Sequence, residues 1–439
     1  MIIFFKNLNA TKMQALDQNK LLEQHRFLDK WKSANARGSL VANTAFGKTT
    51  VALLAIQEMN QNHPERITHV VVPTHALKNQ WEEVILAWKL KNVTVWIINT
   101  YILEIRYTNL LVLDEIHRFG SNTFRQVFLK SRFNFILGLT ATLERQDGMH
   151  SLIHMYAPVL RRISLSEALE KGYVSSFKVF NFGIELSRAE SASYEYIQKQ
   201  FETYFQIFDN DFNLVRRILA NSNVRDQFGL IKGLTSSELC YQARQFSKFL
   251  HLRKTFLNEA PSKIQAVKQI WMTLNKKMIV FCETTAFADQ IVEALGIVSF
   301  AYHNAVADKK KMKQQLEDFK TGSGSHQVVV AVKAIEEGLD VPDIEVVVIV
   351  SGNATKRQYI QRMGRSLRIR PGKTALIINT YLHGTKDEFW LRRRQEENSE
   401  KVRWINSVSE IDSNDDGQAQ RPESYQHHDT DWNGSETDL

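Results

Sequence analysis

Short apolar runs separated by amphipathic segments recur over two stretches of the chain. Buried strands of parallel sheets show such runs because helices cover both faces of the sheet. In the first stretch we predict strands at residues 38–42, 68–72, 93–98, 110–113 and 135–139. In the second stretch we predict strands at residues 278–282, 298–302, 327–331, 346–350 and 374–378. The pattern therefore predicts an α/β fold with two tandem domains, each a parallel sheet flanked by helices.

Between the two stretches the strand signal gives way to a helical pattern, after a short apolar run at residues 177–182. Aromatic residues recur there near helical spacing, at Phe201, Tyr204, Phe205, Phe208 and Phe212. Basic residues accompany them at Arg216, Arg217, Arg244, Lys248, Arg253 and Lys254. Two interpretations are open: a stacking platform or wedge for nucleic acid, or a helical core with a solvated basic face. The pattern alone favours the second.

The predicted domain limits follow from these patterns. We assign residues 1–160 and 262–405 to the two α/β domains, and residues 161–261 to a mostly helical accessory region. Residues 406–439 are rich in Ser, Asn, Asp and Gln, and we expect a disordered acidic tail. Residues 409–439 hold nine acidic side chains against Arg421, so this segment carries −8 and residues 1–408 carry +16 of the chain's net +8. A basic body suits a polyanionic partner.

The composition is that of a globular protein, with 439 residues and a hydrophobic fraction of 43%. The apolar runs are too short to cross a membrane or to form the apolar region of a signal peptide. Cys240 and Cys282 lack the spacing of a zinc site or a disulfide framework. We therefore expect a cytoplasmic protein without a membrane partner.

A candidate phosphate-binding loop follows the first predicted strand, in the sequence LVANTAFGKTT of residues 40–50. Gly47 permits close backbone approach, Lys48 supplies a cation for the β- and γ-phosphates, and Thr49 offers a hydroxyl to Mg²⁺. Alanine stands where the usual pattern has its opening glycine, and it is the smallest replacement. The predicted nucleotide-binding residues of this loop are Ala42, Asn43, Thr44, Ala45, Phe46, Gly47, Lys48, Thr49 and Thr50.

A pair of carboxylates ends the predicted strand at residues 110–113. Asp114 is placed to hold Mg²⁺ together with Thr49, and Glu115 to polarise the attacking water. A solvated acidic turn is the alternative for either residue alone. Because the loop and the carboxylates are chemically complementary, the two elements together predict an ATPase.

At this point the chain resembles the superfamily 2 helicases of the DExH-box type. The matching segments of the first half are VVVPTHALKNQW at 70–81, INTY at 98–101, DEIH at 114–117 and GLTAT at 138–142. The resemblance implies that Gln24 reads adenine and that His117 links hydrolysis to the bound strand. It also implies contacts to the nucleic acid from Thr74, His75, Thr100, Thr140, Thr142 and, further along the chain, Arg145 and Gly338.

The series continues in the second half with KMIVFC at 277–282, EGLD at 337–340 and QRMGRSLR at 361–368. The resemblance implies two RecA-like domains that enclose ATP and Mg²⁺. Asp340 is then expected to meet the nucleotide, and Gln361, Arg365 and Arg368 to face Lys48 across the cleft. The spacing of the two arginines is that of arginine fingers, which stabilise charge on the γ-phosphate when the cleft closes.

Three further segments resemble XPB-like helicases: LERQDG at 143–148, APVLR at 157–161 and LEKGY at 169–173. The overall length resembles phage branch-migration helicases of the UvsW type, which implies a host cytoplasm. These resemblances imply an ATP-dependent DNA helicase acting on forked or branched DNA without sequence preference, in replication, recombination or repair. Two alternatives stay open: an RNA helicase, and a duplex DNA translocase that does not separate strands.

Overall fold

The computed structural model describes residues 2–42, 46–141, 143, 148–173, 176–332, 344–350, 374–396 and 402–411. Within these ranges, side chains are described except at residues 2–17, 165 and 394–396. The described strands form two separate sheets, of six and seven strands, in which every pairing is parallel. The predicted architecture of two parallel sheets is therefore confirmed.

The first sheet has the order β3-β2-β4-β5-β1-β6. Its strands are β1 Arg37–Ala42, β2 Thr68–Val72, β3 Val93–Ile97, β4 Arg106–Asp114, β5 Ser131–Thr140 and β6 Val159–Ile163. The first five strands coincide with the predicted ones, and β6 was not predicted. Because β6 is an edge strand with two arginines in five residues, it lacks the continuous apolar run that identifies a buried strand.

The second sheet has the order β13-β7-β12-β11-β8-β10-β9. Its strands are β7 Ser176–Ile184, β8 Met278–Cys282, β9 Ser299–Tyr302, β10 Val328–Val332, β11 Val346–Ile349, β12 Thr374–Leu382 and β13 Val402–Ile405. All five predicted strands are present. Strand β7 comes from the region assigned to the accessory segment, yet it pairs along its whole length with β12. The domain limits stay predictions, and this pairing argues for a second domain that includes residues 176–184.

Helices occupy most of the remaining described chain. They are α1 Ile2–Ser33, α2 Lys48–Asn62, α3 His75–Ala87, α4 Ile98–Tyr101, α5 Gln126–Lys130, α6 His150–Tyr156, α7 Leu165–Glu170, α8 Arg188–Ile207, α9 Phe212–Ala220, α10 Ser222–Lys232, α11 Ser236–Glu259, α12 Pro261–Leu274, α13 Thr285–Leu295, α14 Lys309–Thr321 and α15 Lys386–Glu396. Short 3₁₀ turns lie at Ile116–Gly120, Gly296–Val298 and Val408–Ile411. In the described chain, none of the helices combines the length and the apolar character required to span a bilayer.

Helices α8 to α11, residues 188–259, form what we call the helical insertion. Reciprocal capping bonds between Ser187 and Glu190, and between Thr235 and Glu238, start its two long helices. The predicted aromatic residues pack into one core, where Phe201, Phe205, Phe208 and Phe212 are all buried. These rings are not available to stack on bases, so the packing favours the helical-core interpretation. Of the basic residues, Arg216, Arg217, Arg244 and Lys248 are exposed, and Arg253 is buried over the ring of Phe201.

Candidate nucleotide and nucleic-acid site

The candidate phosphate-binding lysine stands at the start of α2, six residues after the end of β1. Gly47 adopts the left-handed conformation (φ 86°) that turns the chain into this helix. The Lys48 ammonium donates to the carbonyl of Ala42 at 3.0 Å and is buried. Burial lowers the pKa of Lys48, whereas the nearby carboxylates of Glu115 and Asp114 act in the opposite direction. The structure thus brings the predicted lysine together with both predicted carboxylates.

Gln24 of α1 lies against the same loop. Its side-chain amide donates to the carbonyl of Phe46 at 2.9 Å and lies 3.5 Å from that of Gly47. A Cβ at Gly47 would approach this amide to 2.8 Å and displace the Gln24 side chain, and the positive φ angle independently favours glycine. Gln24 therefore fixes the backbone of the loop, and its contact with adenine stays a prediction.

Helix α1 is anchored on both sides of Gln24. Trp31 donates from its indole to the carbonyl of Ile136 at 2.9 Å. Glu23, which precedes Gln24, accepts from Arg161 of β6 at 2.8 Å, and Arg161 also contacts Glu167 of α7. The Tyr173 ring packs edge-on against Phe46, with centroids 5.6 Å apart. The XPB-like segments at 157–161 and 169–173 therefore contact α1 through Arg161 and the loop through Tyr173.

Asp114 is held in position by two hydrogen bonds. One carboxylate oxygen accepts from the Trp81 indole at 2.9 Å, and the other accepts from the backbone N–H of Glu115 at 3.0 Å. Burial, followed by the charge of Glu115, raises the pKa of Asp114. Trp81 was not predicted to have this role. In the sequence Trp81 is one apolar position on a helix, which predicts that the side chain is buried. It does not predict a hydrogen bond to a carboxylate at the end of β4.

Glu115 has a strained backbone, with φ 52° for a residue that has a side chain. One of its carboxylate oxygens lies 3.3 Å from His117 Nδ1, and the same nitrogen lies 2.9 Å from the Thr140 hydroxyl. Burial by itself would raise the pKa of Glu115, but His117 and Lys48 outweigh it, and the net pKa is low. Glu115 is therefore ionised and suited to orient a water, while His117 connects it to the end of β5.

Close packing supports this connection. Gly138 lies on β5 directly beside Ile116, and a Cβ at this position would overlap the side chains of Ile116 and Ser39. Only glycine allows β5 to pass so near the turn that follows Asp114. Packing therefore explains why the GLTAT segment begins with Gly138. The hydrogen bond to His117 explains Thr140.

We expect that replacing His117 with alanine will raise the pKa of Glu115, because the variant removes the group that lowers it most. Activity that depends on ionised Glu115 is lost as pH falls through its pKa, so the acidic limb of the pH–rate profile of kcat should move to higher pH. ATPase measurements between pH 4 and 8, with the exposed His154→Ala as control, test this. Because burial raises the pKa of Asp114 to about 6, Asp114 limits activity in this range in both proteins, and the effect on Glu115 is an additional loss of rate in His117→Ala at the acidic end. Equally shaped pH profiles for His117→Ala and the control would contradict the expectation.

The predicted nucleic-acid contacts of the first domain lie at the same sheet edge. Thr74 caps α3 by accepting from the Leu77 N–H at 3.3 Å, His75 is exposed beside it, and Thr100 is exposed on α4. These residues follow β2 and β3, while the carboxylates follow β4 and Lys48 follows β1. The carboxyl ends of parallel strands meet at one edge, which is where ligands bind in open α/β sheets.

The remaining predicted residues divide into two groups. Thr49 and Thr50 are half-buried in the first turn of α2. Lying outside the described residues are Asn43, Thr44, Ala45, Thr142, Arg145, Gly338, Asp340, Gln361, Arg365 and Arg368. Their roles stay predictions.

Mg²⁺ fits the oxygen donors that the described residues place here. Asp114 has an oriented carboxylate, and Thr49 is predicted to add a hydroxyl; hard oxygen ligands are what Mg²⁺ prefers. Within the described ranges, no three side chains of His, Cys, Asp or Glu converge as a metal site. A magnesium ion at Asp114 would therefore take its other ligands from substrate phosphates and water, as is usual for nucleotide-bound Mg²⁺.

Comparison with known proteins places these features in a family. The profile of the family "Helicase conserved C-terminal domain" matches residues 262–370. The profile "Type III restriction enzyme, res subunit" matches residues 9–104 and 99–145. The first covers the described strands β8 to β11, and the second covers the loop, the carboxylates and Gly138.

Among similar proteins, the DNA 3'-5' translocase XPB2 of Sulfurisphaera tokodaii is 31% identical over 384 residues, which cover 82% of this chain and 81% of that protein. The putative DNA 3'-5' helicase Rad25 of Halobacterium salinarum is 25% identical, over 86% of this chain and 56% of its own length.

Among solved structures, the helicase domain of Pyrococcus furiosus Hef matches with a TM-score of 0.57 at 17% identity, over 84% of this chain and 97% of that one. S. cerevisiae Dbp5 bound to RNA and ADP BeF3 matches with a TM-score of 0.57 at 14% identity, over 89% and 90%. At these identities the structures establish the fold alone, and the sequence relatives establish the family. The chain therefore belongs to the XPB-like family of superfamily 2, the ATP-dependent DNA helicases and translocases.

Proposed function

We propose that this helicase couples ATP hydrolysis to movement along the DNA backbone and thereby remodels forked or branched DNA. The observation that carries the proposal is the contact from Glu115 through His117 to Thr140. It joins the carboxylate suited to activate water to the segment that the resemblance assigns to nucleic-acid contact. His117 Nδ1 lies 3.3 Å from Glu115 and 2.9 Å from Thr140, so we propose that a displacement of Thr140 changes the position of Glu115.

In the proposed reaction, Lys48 leaves the Ala42 carbonyl and contacts the β- and γ-phosphates. Glu115 accepts a hydrogen bond from the attacking water, and Asp114, held by Trp81, keeps the metal side of the site in place. Mg²⁺ supplies charge neutralisation on the phosphates when it is bound. Arg365 and Arg368 are proposed to complete the site from the second domain, with Gln361 and Asp340 beside them.

Several features support DNA as the polymer along which the protein moves. The body of the chain is basic, and the half-buried Thr74 and the exposed His75 and Thr100 are suited to contact phosphates, which carry no sequence information. The relatives named above are a DNA translocase and a putative DNA helicase. Because one of them is named a translocase, movement along duplex DNA without strand separation is the second candidate function.

A substrate panel separates these functions. We expect the ATPase rate to rise at least about tenfold with DNA and less with RNA, and to fall steeply as salt is raised. A labelled fork, a Holliday junction, a displacement loop and a plain duplex carrying a triplex strand are each incubated with ATP or a non-hydrolysable analogue.

Unwinding of the branched substrates that requires hydrolysis would support the proposed function. Triplex displacement without unwinding of any branched substrate would establish the duplex translocase instead. A larger stimulation by RNA than by DNA would contradict both.

A further inference from the structure

A buried ion pair lies at the carboxyl end of the second sheet. Lys263 of α12 and Asp387 of α15 are 0% and 1% exposed, and the ammonium lies 2.7 Å from the carboxylate. Lys263 also donates to the carbonyl of Val350 at 2.8 Å. Asp387 also accepts from the N–H of Leu382 at 3.3 Å. The pair therefore ties two helices to the ends of two neighbouring strands.

The strand ends that it ties are those facing the expected ligand edge. Val350 directly follows β11, and Leu382 is the last residue of β12. The carbonyl of Val350 also accepts from the Thr380 hydroxyl at 3.2 Å, which locks the two strands together. Ligands of parallel α/β sheets bind outside these carboxyl ends. Along the chain, the connection between β11 and β12 carries the predicted Gln361, Arg365 and Arg368.

The base of the helical insertion is bonded to the neighbours of both charged residues. On α8, the Tyr194 hydroxyl accepts from the backbone N–H of Lys386, next to Asp387, at 3.0 Å. One turn earlier, the Glu190 carboxylate accepts from the backbone N–H of Ser262, next to Lys263, at 2.9 Å. Helix α8 therefore holds the first turns of α12 and α15 at once, so its orientation and the geometry of the ion pair are mechanically linked.

We propose that Lys263 and Asp387 are positioning residues that couple the helical insertion to the ligand edge of the second sheet. A buried ion pair tolerates little distortion, because a charge that loses its partner in the interior is very costly. When the insertion rotates on bound DNA, the ion pair therefore displaces the strand ends at Val350 and Leu382 and does not itself break. The proposal rests on the proposed function, since it supposes that DNA orients the insertion and that ATP binds at this edge.

The sharpest test removes one hydroxyl at the base of the insertion. Tyr194→Phe keeps the ring and deletes the acceptor for the Lys386 N–H. We expect the ATPase rate without DNA to be unchanged and the stimulation by saturating DNA to fall roughly fivefold, the effect of one hydrogen bond in the coupling. Tyr196→Phe is the matched control, because Tyr196 lies two residues along the same helix and is exposed; its stimulation should equal that of the wild type.

A second pair of variants probes the other bond. The Glu190 carboxylate accepts from the Ser262 N–H with one oxygen and from the Ser187 N–H, which caps α8, with the other. Glu190→Gln retains one acceptor oxygen and should keep most of the stimulation. Glu190→Ala loses both bonds and should reduce the stimulation as Tyr194→Phe does, and Ser187→Ala, which disrupts the cap alone, is its control. DNA affinity, measured by fluorescence anisotropy, should be unchanged in Tyr194→Phe, and the melting temperature should fall by only a few degrees, the cost of one hydrogen bond.

The outcomes separate the two claims. A stimulated wild type with an equally stimulated Tyr194→Phe would overturn the coupling alone. So would a loss of DNA affinity or of folding large enough to explain the lower rate, since Tyr194 would then have a merely structural role. A wild type that no DNA stimulates would overturn the proposed function and the coupling with it.

Discussion

Replacing Lys48 with alanine is expected to lower the DNA-stimulated ATPase rate by at least about a hundredfold, which corresponds to roughly 3 kcal/mol of lost transition-state stabilisation. The ammonium is buried, and the carboxylates of Asp114 and Glu115 lie close enough to act on its charge. Truncation to alanine removes the ammonium, and the alanine side chain is too short to contact the phosphates. Steady-state ATP hydrolysis at saturating DNA measures the effect.

The control for this experiment is Lys30→Ala, which removes an exposed lysine of α1 on the same domain. It should hydrolyse ATP at the wild-type rate. The far-ultraviolet circular dichroism of Lys48→Ala should match the wild type, so that a loss of rate is not a loss of fold. A Lys48→Ala protein with a normal rate would refute the assignment of the loop.

Replacing Lys263 with methionine is expected to lower the free energy of unfolding by about 3–5 kcal/mol. The variant leaves the Asp387 carboxylate buried without its cation and deprives the Val350 carbonyl of a donor. The double variant Lys263→Met with Asp387→Asn should recover part of the loss, since asparagine is neutral and still offers an oxygen to the Leu382 N–H. Denaturant unfolding followed by tryptophan fluorescence and circular dichroism measures both.

The matched control is Lys268→Met, at an exposed position on the same helix, α12. It should change the midpoint of unfolding by little, because surface substitutions away from special features are usually within about 0.5 kcal/mol. If Lys263→Met and Lys268→Met unfold alike, the buried pair does not stabilise the second sheet. An equal loss in the single and double variants would show that the unpaired charge is not the cause.

The strands could be predicted to different degrees, and the continuity of the apolar run explains the difference. Ten strands, including the edge strands β3 and β9, contain mostly apolar runs that were visible in the sequence. Strands β6 and β13 lie at sheet edges, where half-exposed positions with arginines break the run. Strand β7 was visible as an apolar stretch, but its partner β12 is almost two hundred residues away. Pairing at that distance depends on the assembled sheet, and local pattern carries no information about it.

The site shows the same division at the level of single side chains. The sequence indicates the chemistry of four residues, Gly47, Lys48, Asp114 and Glu115. Few structures other than a phosphate site require these residue types at strand ends. Trp81 and Lys263 do not, because a tryptophan on an amphipathic helix and a lysine near a helix start are ordinary. Their partners, Asp114 and Asp387, are 33 and 124 residues away.

From residue order alone follow the two parallel sheets, the loop with its lysine, and the carboxylates at the strand ends. These depend on apolar periodicity and on short-range spacing, both of which are written along the chain. The folded molecule added the bond that orients Asp114, the link from Glu115 to Thr140, and the ion pair at the carboxyl end of the second sheet. Each of these is a contact between segments far apart in the chain, and such contacts are selected by the packing of whole layers, which no local pattern specifies.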